Sequence, residues 1–253
     1  YKPFTLLPHK PNYLLPVTHH FSDSRDSVAK EGSFLDNTEV SFQVSLKFPV
    51  INDILGTEMD ILAAYTGRSF WQAYNSDLSA PFRDTNHEPE IFLNQPINEK
   101  IGKLYWRDIQ YGFSHQSNGR TVPISRSWNR VYANFLFSYK NFAWSFKPWY
   151  RIREDNKENS DDVLGDDNPD IEHYLGHFEL QSTYKWHDHT LSAMVRNNLR
   201  SDNKGAFRLN WSFPLTPKIK GYVYYFNGYG ETLVDYNNET HSLGVGFLLS
   251  DWL

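Results

Sequence analysis

Three side chains within residues 111–132, YGFSHQSNGRTVPISRSWNRVY, are of the types that nucleophilic catalysis needs: His115, Ser117 and Asn129. A serine hydroxyl is a poor nucleophile until a base takes its proton in the transition state. A histidine does that best when a third group holds its ring and tautomer. The spacing suits this use. Before the loop, odd Ile109, Tyr111 and Phe113 are apolar, while even Asp108, Gln110, Ser114 and Gln116 are polar. After it, odd Val131, Ala133, Phe135 and Phe137 alternate with even Arg130, Asn134, Ser138 and Lys140, with Tyr132 and Leu136 as apolar exceptions. Period-two alternation predicts strands with odd side chains on one face. Residues i and i+2 lie roughly 6.6 Å apart along a strand, so His115 can lean toward the Ser117 hydroxyl. Asn129, on the next strand and the same face, can accept from the other ring nitrogen. A soluble protein would bury that apolar face; here the rest of the chain predicts that it meets lipid. An amide there costs far less than an ionised carboxylate, which explains Asn in place of Asp.

The elements that must position these groups recur along the whole chain. Residues 39–48, EVSFQVSLKF, alternate strictly, and residues 142–152, 174–180, 191–195, 207–215 and 243–249 follow the same pattern. Residues 12–17, 59–74, 90–93 and 219–226, together with the two segments around the triad, complete twelve predicted strands. The predicted connections alternate too: 139–141, 185–189 and 215–218 are short, and 117–127, 154–170 and 228–239 are long and polar. Short periplasmic turns and long external loops are the pattern of an outer-membrane barrel. The expectation is an all-β transmembrane antiparallel barrel of twelve strands, one domain over residues 1–253, with both termini periplasmic. The loops 115–127 and 76–88 then leave the same outer rim. A soluble β-sandwich has little use for a strand as long as 59–74.

Composition agrees. The 253 residues include 8 Trp, 16 Tyr and 18 Phe, an aromatic excess suited to interfacial girdles. Mean hydropathy is −0.61 and no apolar run is long enough for a membrane helix, but a barrel needs none because half its residues face a polar interior. There is no cysteine, as suits an envelope protein. The net charge of −5 and the lack of basic clusters argue against nucleic acid. The sequence starts at Tyr1 with no signal peptide, which for a secreted protein means a mature or trimmed form.

The ordered motifs give a more specific indication. His115-Gln116-Ser117-Asn118-Gly119-Arg120, then Ser125-Arg126-Ser127-Trp128-Asn129-Arg130, resembles the outer-membrane phospholipase A family of Gram-negative bacteria. The resemblance extends over almost the whole chain, through Pro3–Leu6, Asn12–Leu14, Pro81–Arg83, Lys147–Tyr150, Asp166–Asp170, Gly228–Glu231 and Asp235–Asn237. It implies a barrel that hydrolyses phospholipid and lysophospholipid acyl esters in the outer membrane, with calcium as cofactor and a homodimer as the active form. It assigns Ser117 as nucleophile, His115 as general base and then acid, and Asn129 as orienter of the imidazole. It also implies an oxyanion hole at the Gly119 amide, and calcium held by the Arg120 carbonyl, the Ser125 hydroxyl and Ser79 of the partner subunit. A further calcium site of the monomer falls on Asp167. The chain departs from the family in an insertion within 153–168 that includes Lys157, Glu158 and Asp161, and in Gly67, where a member of the family carries a polar interface glutamine. It also ends in Asp251-Trp252-Leu253 rather than in the usual Phe.

Calcium suits that donor set, since a hard cation takes oxygen ligands and a site without carboxylates leaves its charge available to a developing oxyanion. The acidic segment 154–170 lacks EF-hand spacing and otherwise reads as a solvated loop. His173, His177, His187 and His189 do not form a metal cluster; the parity of the first two predicts interior hydrogen bonds. Arg130, Asn134, Lys140, Asp108 and Gln110 are expected to point inward and fill a narrow barrel. The competing readings are a non-catalytic barrel, such as a channel or anchor, and an outer-membrane protease. A channel would put its functional groups in the lumen, and a protease would want acidic residues with a His at the loop rim.

Overall fold

The computed structural model describes residues 3–22, 34–159, 161–217 and 219–249; Tyr1 and Asp251–Leu253 lie outside that range. Strands β2 (Tyr13–His20), β3 (Thr38–Ile51), β4 (Asp60–Trp71), β5 (Phe82–Ile101), β6 (Leu104–Ser117) and β7 (Ser127–Tyr139) form the first half of one antiparallel sheet. Strands β8 (Phe142–Ile152), β9 (Phe178–Trp186), β10 (His189–Asn197), β11 (Gly205–Pro214), β12 (Lys220–Tyr229) and β13 (Glu239–Leu248) form the second. Each pairs with its sequence neighbour, and β13 pairs with β2, so these twelve close into a barrel with no free edge. A two-residue strand β1 (Leu7–Pro8) extends the β2 edge along β3. No helix among the described residues is long and apolar enough to cross a membrane.

Odd side chains on β6, β7, β10, β11 and β13, among them Tyr111, Phe113, Val131, Leu191, Phe207, Leu209, Leu243 and Val245, are exposed on the outside. So large an apolar surface is stable in lipid and not in water. Aromatics gather beside the short turns: Phe142 stacks on Tyr184 at 4.4 Å and Trp211 lies 4.6 Å from Phe213. The connections alternate as expected. Gly102–Lys103, Lys140–Asn141 and His187–Asp188 are tight turns on one rim, and the segments 72–81, 118–126, 153–177, 198–204 and 230–238 stand on the other. Strand β2 begins and β13 ends at the short-turn rim.

The interior is filled. Glu88 takes Lys10 at 2.6 Å and Arg130 at 2.7 Å; Glu90 takes His9 at 2.8 Å and Lys147 at 3.0 Å. Arg83 joins Glu39 to Asp235, and a polar hydrogen-bonded chain runs Asp108–Asn94–Gln110–Asn134–Ser145. At the long-loop end, helix α1 (Ile171–Leu175) and residues 230–238 close the barrel. There Ile171, Leu175, Leu233 and Tyr236 pack with Phe92, Trp128, Tyr132 and Trp149.

Four sequence expectations need correction. Residues 76–88 are not all loop: β5 begins at Phe82 and runs 20 residues. The polar run Arg83-Asp-Thr-Asn-His-Glu is strand because Asp84, Asn86, Glu88 and Glu90 turn into a polar lumen, where such groups pair with one another. Residues 174–180 are not one strand: Ile171 and Leu175, spaced i, i+4, bury one face of a short helix, and β9 starts only at Phe178. His173 and His177 accordingly sit on the rim, contacting Asp202 and Glu172, and Lys140 lies in a turn over the Tyr139 ring.

Candidate active site

Strands β6 and β7 pair so that His115 stands directly opposite Asn129, Gln116 opposite Trp128 and Ser117 opposite Ser127. His115 Nδ1 lies 2.7 Å from Asn129 Oδ1. Asn129 Nδ2 in turn donates to Glu154 Oε1 at 3.0 Å. A carboxylate only accepts, so Glu154 fixes which end of the amide faces His115. With Oδ1 facing the ring, Nδ1 carries the proton and Nε2 keeps its lone pair, the tautomer a general base needs. His115, Ser117 and Asn129 are half-buried on the outer face, beside exposed Phe113 and Val131. No described hydrogen bond occupies the Ser117 hydroxyl.

The inner face braces this row. Trp128 is fully buried, donates through Nε1 to Gln116 Oε1 at 2.8 Å, and carries the Arg130 guanidinium 4.1 Å above its ring. Trp149 meets it edge-on at 6.1 Å. The rungs that carry His115, Ser117 and Asn129 are therefore clamped from behind.

The segment 118–126 is organised by buried Asn118. Its Oδ1 accepts from the Arg126 and Arg120 amides, and its Nδ2 donates to the Ile124 carbonyl at 2.8 Å. Gly119 follows with φ +61, a conformation that disfavours any side chain with a Cβ. A Cβ there would lie 4.0 Å from the His87 ring. His87 is the cross-strand partner of Ser117 on β5, and its Nδ1 bonds Tyr65 Oη at 2.6 Å.

The oxygen donors expected to hold calcium are partly assembled. Ser125 Oγ donates to Asp167 Oδ2 at 2.5 Å, and Lys157 Nζ sits 2.5 Å from Asp167 Oδ1. Arg120 reaches through Nη2 to the Phe82 carbonyl at 2.6 Å, which ties its loop to the end of segment 72–81. Ser79 lies on that segment, exposed, with φ +59 and no described contact to Ser125 or Asp167. Among the described residues no three His, Asp or Glu side chains gather as a metal cluster. The donors are instead hydroxyl, carbonyl and carboxylate oxygens, the class calcium takes. Segment 153–177 is held in place by Arg151, which grips Asp166 through both carboxylate oxygens at 2.7 Å, and by buried Asn168, which accepts from the Ser127 amide at 3.0 Å. Tyr236 donates to Asp170; burial first, and that hydrogen bond second, push its phenol above its ordinary value and keep it a donor.

The chain as a whole matches a known family. The profile of the phospholipase A1 family aligns with residues 1–249. The chain belongs to that family. Phospholipase A1 of Proteus vulgaris and that of Escherichia coli K12 are each 39% identical to it over 254 residues, covering 98% of this chain and 83% of theirs. The outer-membrane phospholipase A structure from Escherichia coli superposes with a TM-score of 0.87 at 36% identity, over 99% of this chain and 100% of that one. A Salmonella typhi outer-membrane phospholipase, crystallised as a dimer with bound calcium, gives 0.87 at 37%, over 100% and 95%. The chain is thus an outer-membrane phospholipase with a twelve-stranded barrel.

Within this phospholipase, sequence reasoning missed Glu154, Asn118, Asn168 and His87 as parts of the site. Asn118 had a signal, lying between the serine and the glycine of the motif. Asn168 lay within the Asp166–Asp170 motif, but Glu154 had no signal, because only the folded 153–177 segment brings it to β7.

Proposed function

We propose that the barrel hydrolyses phospholipid and lysophospholipid acyl esters with Ser117 as nucleophile, His115 as base and Asn129 as orienter. The observation that carries this is the 2.7 Å contact between His115 Nδ1 and Asn129 Oδ1, on the lipid-facing side of two directly paired strands. Substrate lying in the membrane reaches Ser117 without leaving the bilayer. His115 Nε2 takes the Ser117 proton as Oγ attacks the ester carbonyl, and returns it to the departing alcohol. Water then attacks the acyl-serine by the same route, releasing the fatty acid. The Gly119 amide is the chain's own donor to the oxyanion.

Calcium is the proposed cofactor, held by Ser125, the Arg120 carbonyl and Ser79 of the partner subunit, with Asp167 serving the monomer. When bound it supplies positive charge beside the developing oxyanion. The active form is a homodimer whose outer faces meet beside the triad, and the short-turn rim with both chain ends is periplasmic. A channel is disfavoured because ion pairs and packed aromatics fill the described interior. The test is fatty-acid release from phospholipid micelles by wild type and Ser117→Ala, with calcium and with chelator. The reading expects release only by wild type with calcium; equal release by the folded Ser117→Ala variant overturns it.

A further inference from the structure

We infer that Glu154 is a positioning residue of the catalytic row, acting on His115 through Asn129. The inference rests on the assignment of Ser117, His115 and Asn129 as triad. Asn129 pairs with Ile152 across β7 and β8, and Ile152 is exposed on the outer face. Glu154 follows two residues later, just past the end of β8, and its Oε1 accepts from Asn129 Nδ2 at 3.0 Å. An amide on its own can offer a histidine either its oxygen or its NH2 group. The wrong choice puts the imidazole proton on Nε2 and removes the base. An acceptor-only carboxylate behind the amide settles the choice in favour of Oδ1 toward His115.

The placement also reconciles two opposing requirements. A carboxylate in the Asn129 position, on the lipid-facing rung, would pay a desolvation cost. A carboxylate one hydrogen bond further out, at the start of the long-loop segment, keeps contact with water. It still polarises the amide, because a hydrogen bond to an ionised acceptor is about twice as strong as a neutral one. Glu154 therefore orients the triad without placing an anion on the lipid-facing wall.

The experiment is a double-mutant cycle on the full chain folded in detergent micelles: wild type, Glu154→Ala, Asn129→Ala and the double variant, with Glu154→Gln as the conservative control. Folding is checked by heat-modifiable electrophoretic mobility. Glu154→Ala should lower kcat about tenfold with KM within about twofold, the scale of one charge-assisted hydrogen bond. Glu154→Gln, which still offers an acceptor, should stay within about threefold of wild type. In the Asn129→Ala background, removing Glu154 should cost nothing more, because its only route to His115 is gone. Independent, multiplying losses in the double variant, a loss confined to KM, or Glu154→Gln as damaged as Glu154→Ala would overturn the inference. Wild-type turnover in Asn129→Ala would instead overturn the triad assignment. Impaired Asn129→Ala beside fully active Glu154→Ala would overturn this inference alone.

Discussion

Lys157 Nζ lies 2.5 Å from Asp167 Oδ1, in an ion pair that is nearly nine-tenths buried. Its other oxygen takes the Ser125 hydroxyl. The lysine comes from segment 153–177, and it places a tethered cation at a carboxylate otherwise suited to calcium. Lys157→Met should therefore bind calcium about tenfold more tightly, since a competing positive charge is gone. Without calcium the same variant should be less resistant to thermal unfolding, because the buried carboxylate has lost its partner. Calorimetric titration of the folded barrel checks the first outcome, and a melting curve with and without calcium the second. Unchanged calcium affinity would mean that Lys157 does not compete.

Ser79 is exposed on the long-loop rim, with no described contact to Ser125 or Asp167. If it completes a calcium site across a dimer, Ser79→Ala should raise the calcium concentration needed for activity and weaken dimerisation together. The two effects are linked because a ligand favours the dimer only by its differential affinity for it. Cross-linking yield against calcium, compared with hydrolysis in the same samples, is the check. Full activity from a monomeric species, with calcium dependence unchanged by Ser79→Ala, would rule out the shared site.

Asn129→Ala should be milder than loss of the serine. His115 keeps its rung on β6 and loses only its orienting partner, so a fall of about a hundredfold is expected, against at least about a thousandfold for Ser117→Ala. Initial rates on one micellar substrate measure both. Equal severity would give Asn129 a larger part than orientation.

Glu88 balances both Lys10 and Arg130 inside the barrel. Glu88→Ala should destabilise the fold by about 3–5 kcal/mol, because it takes the paired carboxylate from buried Arg130 and leaves Lys10 only the longer contact to Glu90 at 3.5 Å. Urea unfolding followed by tryptophan fluorescence measures it. A variant as stable as wild type would mean that the interior network does not support the fold.

The wall of the barrel was legible from the chain and its closing segments were not. Alternation placed β3, β7 and β8 because outward apolar residues such as Val131 and Phe135 mark every second position. It failed at 82–88, where the inward residues Asp84, Asn86 and Glu88 are charged or polar, so a strand reads as loop. It failed again at 174–177, where the end of a helix too short to show its period and the rim residues after it read as the start of a strand. The parity of His115, Ser117 and Asn129 was visible because all three lie on regular strands. Glu154, Lys157 and Asn168 reach the site from a segment with no periodicity, and their positions follow only from tertiary contacts such as the Arg151–Asp166 pair. Residue type alone cannot reveal such contacts.

The central claim is that Ser117, on the lipid face, carries the acyl group during turnover. Its most direct test is mass spectrometry of the folded protein quenched during reaction with an acyl ester that deacylates slowly. An acyl adduct on the peptide containing Ser117, absent from Ser117→Ala and formed far more slowly in His115→Ala, is the predicted result. An adduct on another residue, or undiminished phospholipid hydrolysis by Ser117→Ala, would contradict it.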